Sequence, residues 1–171
     1  MNPRRILAIS SLASIGIALS AGFVLAQQKS LKEELVGTWS LISYDTIAND
    51  GSKTPILGVH PVGIMMLDTS GHYAIVLDDP GRPKWKSSVR SETTPEEYIT
   101  AVKGLVAQEG VWSVDEGTKT WTRKVEGAIN PNGVGNELKA TVAVSAGKLI
   151  VTSPDSGVTG GKTEQVFSRV E

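Results

Sequence analysis

Gly37-Thr38-Trp39-Ser40-Leu41-Ile42-Ser43-Tyr44 near one end, and Gln165-Val166-Phe167-Ser168-Arg169 near the other, decide the fold between them. Both alternate as strands do. Successive side chains of a strand point to opposite faces, so Trp39, Leu41 and Ser43 share one face and Gln165, Phe167 and Arg169 share another. A Trp at the start of the first strand and an Arg at the end of the last can meet only if the chain returns to its beginning. A closed barrel makes it return. Trp39 and Arg169 then have a structural role, a guanidinium stacked on an indole worth about 0.5–2 kcal/mol beyond burial.

Working inward, strands are expected over 36–46, 62–68, 72–78, 110–115, 118–126, 137–145, 148–153 and 162–170. Asp68-Thr69-Ser70-Gly71, Asp115-Glu116-Gly117 and Ser145-Ala146-Gly147 are short, glycine-containing links that force antiparallel neighbours. One segment breaks the pattern. Thr94-Pro95-Glu96-Glu97 offers a capping residue, Pro at the first helical position and a Glu that can bond back to the cap. Tyr98, Ile99, Val102, Leu105 and Val106 follow at helical spacing, and Gly110 lies beyond them, which predicts a helix of about three turns. The run from Asp79 to Thr93, with Trp85 between Lys84 and Lys86, is longer than compact domains usually leave irregular. Residues 27–34 read as a polar leader.

Ahead of this pattern, Arg4 and Arg5 precede an apolar stretch from Ile6 to Leu25 that ends in Val24-Leu25-Ala26. This is the layout of a secretory signal cut after Ala26. A membrane-spanning helix competes, but Ser10, Ser11, Ser14, Gly16, Ser20 and Gly22 make it weakly hydrophobic. The flanks of Arg4-Arg5 fit a twin-arginine signal poorly. The expected organisation is a signal peptide over 1–26 and one barrel domain over 27–171, in the periplasm or outside the cell, with no stable membrane insertion after cleavage. Cleavage removes two of the 17 Lys and Arg and none of the 18 Asp and Glu, taking the net charge from −1 to −3. That balance gives no basic surface for nucleic acid. With no Cys there are no disulfides and no thiolate metal ligands.

Leu35 to Tyr44, Asp50-Gly51, Pro55 with Gly58, Pro61-Val62-Gly63, Ser70-Gly71, Pro95-Glu96-Glu97-Tyr98, and Val125-Glu126-Gly127 with Pro131-Asn132 and Gly135 occur in one order along the chain. This ordered set resembles the bacterial and fungal lipocalin-like domain family. The resemblance implies an all-β fold, an eight-stranded antiparallel lipocalin-like (calycin-type) barrel with one inserted α-helix over an opening. Function does not follow from such a fold. The chain departs from the family pattern at Arg123, where a His is frequent, at Gly133, where a Trp tends to follow Pro-Asn, and at Gln108-Glu109-Gly110, which replaces a tyrosine-rich stretch.

The chemistry is thin outside the barrel. His60 and His72 have no third ligand at a recognisable spacing, so no metal site is assigned. No Ser lies in a nucleophile-elbow context, Asp78-Asp79 borders a turn, and Gly160-Gly161-Lys162-Thr163 lacks the rest of a phosphate loop. No cofactor and no catalytic residue is assigned. The interior remains. Trp121, Arg123 and Val125 share one face of their strand; Thr120, Thr122 and Lys124 share the other. An inward Arg123 would be a buried cation in want of a partner, such as a ligand carboxylate. Met65 and Leu67 alternate with Ile64 and Met66, and Tyr73, Ile75 and Leu77 with Ala74 and Val76; both faces are apolar, and the inward set stays open. Trp85 is either a lid residue or a surface residue packed on the helix. The candidate ligand-binding residues are Arg123, Trp121, Met65, Tyr73, Trp85 and Gln165, and the expected partner is a small hydrophobic or amphipathic ligand. Two other readings stand beside this: a solid-cored structural or interaction barrel, and an isomerase- or cyclase-type enzyme drawing on Tyr44, Tyr73, Glu126 and Arg123.

Overall fold

The computed structural model describes residues 29–156 and 159–171; the expected signal peptide and the mature start at Gln27 lie outside them. The strands are β1 (Gly37–Ile47), β2 (Lys53–Pro55), β3 (Val62–Leu67), β4 (His72–Asp78), β5 (Leu105–Asp115), β6 (Thr120–Ala128), β7 (Glu137–Ser145), β8 (Lys148–Ser153) and β9 (Thr163–Arg169). Each pairs antiparallel with its neighbours, and β1 pairs with both β3 and β9. The result is a closed eight-stranded antiparallel barrel. The short β2 pairs only with the far end of β1, Asp45 to Ile47. Three residues are too few for alternation to announce a strand.

Closure takes place where the sequence ends pointed. Trp39 is opposite Met65 on one side and Arg169 on the other. The Arg169 Cζ sits 4.2 Å from the Trp39 ring centroid. Its Nη1 donates to the Val36 carbonyl at 3.0 Å and its Nη2 to the Glu34 carbonyl. Gly37, at φ +139°, is required on two counts: the backbone is left-handed, and a Cβ there would lie 2.5 Å from Arg169 Nη1. The Trp39 indole N–H donates to the Leu35 carbonyl at 2.8 Å.

Four expectations need correction. The leader contains a helix, α1 (Leu31–Leu35), capped by Ser30 and Glu33 in a reciprocal pair and plugging the closed end with the fully buried Leu35. The inserted helix, α2 (Pro95–Lys103), has the expected cap but stops at Gly104. Leu105 and Val106 belong to β5, where they pair with Asp78 and Leu77. Their spacing suits either period, and the β4 edge recruits them into the sheet. Gly110, read as the end of the helix, instead sits at a register shift in β5, where a Cβ would collide with the Lys124 carbonyl. Finally, β1 does not keep strict alternation. A bulge between Leu41 and Ser43 leaves Ile42 exposed and changes the phase, so Tyr44 points inward in place of Ser43.

The open question in β3 and β4 resolves. Met65, Leu67, Tyr73, Ile75 and Leu77 are buried, while Ile64, Met66 and Val76 face outward. With Trp39, Trp121, Leu149 and Phe167 they form one core cluster, which α1 joins through Leu35.

Candidate functional site

The site starts on β6. Its neighbours β5 and β7 place Arg123 opposite Trp112 and Leu138. Trp121, Arg123 and Val125 point inward, at 1, 5 and 2 % exposure, and Lys124 and Glu126 point out. Two apolar residues flanking one cation gain more by burial than Thr120, Thr122 and Lys124 would, and they carry the Arg in with them.

Arg123 forms no ion pair among the described residues, and its buried Nε has no hydrogen-bond partner. Its Cζ lies 4.4 Å from the Trp121 ring centroid, and Trp121 meets Tyr73 edge-on at 6.3 Å. Burial pulls the Arg123 pKa below its ordinary value, and the phenols of Tyr73 and Tyr44 act against that pull. Burial also raises the Tyr73 pKa, with the Arg123 charge opposing it. A cation held out of water with no counter-charge costs several kcal/mol unless something else satisfies it.

Above Arg123 the described residues enclose open space. A cavity of about 640 Å³ fills the end away from α1, within the range that encloses drug-sized ligands. At about 3.3 Å per residue, Arg123 lies roughly 16 Å down β6 from Ala128 at the mouth. Val125, Leu138, Leu105, Val106 and Ile129 supply apolar wall, and Val102 and Lys103 at the end of α2 border it. Asn130, Asn132, Asn136 and Lys139 make the rim polar, and Asp155 is the one carboxylate among the described lining residues. The barrel is therefore filled in one half and hollow in the other.

The expected ligand-binding residues divide by depth. Arg123 and Gln165 line the cavity. Trp121, Tyr73 and Met65 lie in the packed half beneath, with Trp121 supporting the Arg123 guanidinium. Trp85 is elsewhere: it packs edge-to-face on Tyr98 of α2, ring centroids 5.4 Å apart, and does not line the cavity. The groups considered for an enzyme also separate. Tyr44 reaches the cavity, Tyr73 lies below it, and Glu126 faces outward. Tyr44 is 4 % exposed, and its hydroxyl lies 3.2 Å from Ser156 Oγ, either able to donate. The bulge at Ile42 aims it there, and no period-2 count on β1 could have found it.

Positions at which the sequence departs from the family pattern gather here too. Arg123, Gln108 and Gly133 all line the cavity. Gln108 accepts from the Tyr73 hydroxyl at 3.4 Å.

Among the described residues, no group of His, Cys, Asp and Glu could hold a metal, and no helix is long and apolar enough to cross a membrane. No curated protein matches the sequence significantly. A lipocalin-like protein from Bacteroides uniformis, solved by crystallography, is similar at 14 % identity with a TM-score of 0.43, covering 80 % of this chain and 99 % of that one. The sequence model described as a lipocalin-like domain matches residues 36–169, from the residue before β1 to the last residue of β9. The chain belongs to the lipocalin-like domain family.

Proposed function

We propose that this chain is an exported small-molecule-binding protein whose hollow half-barrel holds an amphipathic ligand, an apolar body with an acidic head. The carrying observation is Arg123, a buried guanidinium with no ion-pair partner among the described residues, at the floor of a cavity with largely apolar walls. An acid entering head first would supply the missing counter-charge, and its body would cover Val125, Leu138 and Ile129 on the way to the mouth. The export element rests on the signal-like residues 1–26, and with it goes the proposal that the protein acts in the periplasm or outside the cell.

Titration with decanoate and with methyl decanoate, followed by fluorescence of Trp121 beneath Arg123, tests the reading. The acid should bind more tightly, and Arg123→Leu should abolish most of that preference. A buried charge-assisted hydrogen bond contributes about 1.5–3 kcal/mol, so selectivity should change by roughly ten- to a hundredfold. Equal losses for acid and ester would remove Arg123 from the site. Export is tested separately: the N-terminus of protein from the periplasmic or secreted fraction should be Gln27, and an intact Met1 to Ala26 there would contradict it.

A further inference from the structure

The cavity is lined by a second buried polar group that the chain goes to some length to place. Strict alternation along β1 would turn Tyr44 outward, yet the bulge at Ile42 turns it in, opposite Gln165 on β9. Bulges recur where a strand must re-aim one side chain, often beside a functional site. The cost is visible, because Ile42 is left 44 % exposed on the outer surface. Tyr44 borders the same cavity as Arg123, and its phenol lies within electrostatic reach of the guanidinium. Its hydroxyl can accept from Ser156 and still donate into the cavity, or donate to Ser156 and still accept.

The charge inventory is equally specific. Arg123 is the one buried cation among the described lining residues. The other two cations of the lining, Lys103 and Lys139, are exposed, and Lys139 is already paired with Glu137 at 3.3 Å. A head with one negative charge brings the floor to neutrality. A head with two leaves one negative charge uncompensated beside buried side chains, which is expensive. A phenol strengthens anion binding as a donor without adding charge.

We propose that Tyr44 and Arg123 together form a head-group site for a single negative charge, Arg123 providing the charge and the Tyr44 hydroxyl the completing hydrogen bond. This rests on the reading of the cavity as an acid-binding site, and it adds a specificity residue and a charge limit.

The test is calorimetric titration of decanoate, methyl decanoate and decyl phosphate at pH 8, where the phosphate carries two charges. Wild type, Tyr44→Phe and Arg123→Leu are compared, with circular dichroism confirming that each variant folds. Tyr44→Phe keeps the ring and its packing. It should weaken decanoate about tenfold, the worth of one hydrogen bond to a charged group at the low end, and change the ester less than twofold. Wild type should bind decanoate more tightly than decyl phosphate. Equal weakening of acid and ester by Tyr44→Phe, or none of either while Arg123→Leu still abolishes acid preference, overturns the Tyr44 assignment and leaves the acid-binding reading standing. Decyl phosphate binding as tightly as decanoate overturns the charge limit. Decanoate binding that ignores Arg123→Leu, or no saturable binding of any of the three, overturns this proposal and the reading beneath it.

Discussion

The barrel contains two arginines stacked on tryptophans, and they have opposite surroundings. At the closed end Arg169 lies 4.2 Å from the Trp39 ring, open to solvent on one side, and donates to the carbonyls of Val36 and Glu34. At the boundary between the halves Arg123 lies 4.4 Å from the Trp121 ring, 5 % exposed, with no ion pair and no Nε partner among the described residues. The ring geometry is nearly the same. What differs is everything that lowers the cost of a cation. Arg169 is exposed and bonds α1 and the strand start to the end of β9; Arg123 is buried, with an indole on one side and the cavity on the other. One stack is suited to holding the fold together, the other to meeting something that arrives.

The contrast can be broken most forcefully at Trp39. Trp39→Ala empties a fully buried aromatic site in the packed half and should cost about 3–5 kcal/mol in denaturant unfolding. A loss under about 1 kcal/mol would mean that the closed end is not a tight core. The pairing at that end is finer. Arg169→Ala should cost less than Trp39→Ala, and a double-mutant cycle should return a coupling of about 0.5–2 kcal/mol. Strict additivity would show that the stack contributes nothing beyond position. Smallest of all should be Leu138→Ala in the hollow half, about 1 kcal/mol, because its half-buried side chain already borders open space and its loss creates little new cavity. A cost as large as that of Trp39→Ala would mean that the two halves are equally packed.

Legibility in the sequence followed the length and regularity of each feature. Barrel closure was readable because Gly37-x-Trp39 and Arg169 are chemically distinctive and sit at the two strand ends that must meet. Arg123 was readable as one of two options, since alternation with Trp121 and Val125 places it on the more apolar face. The depth of Trp121, Tyr73 and Met65 was not, because alternation says which side of a strand faces in and nothing of how far down the barrel a side chain is buried. Tyr44 was considered for its chemistry, but its aim depends on a bulge, and a single inserted residue leaves no trace in a pattern of period 2. The end of α2 was misread because Leu105 and Val106 satisfy both the helical and the strand pattern; Gly104 was the better stop signal. The five residues of α1 are too few for periodicity, though Ser30 and Glu33 had the spacing of a capping pair.

The most direct test of the central claim, that Arg123 is held for a ligand at a cost to the empty fold, is thermal unfolding of wild type and Arg123→Leu, each without and with saturating decanoate. Replacing a buried unpaired cation by an apolar side chain should stabilise the ligand-free protein by about 1–4 kcal/mol. Decanoate should then raise the midpoint of wild type well above its shift in the variant. A ligand-free variant that melts below wild type, with equal shifts in both on adding decanoate, would make Arg123 a structural residue like Arg169 and contradict the account.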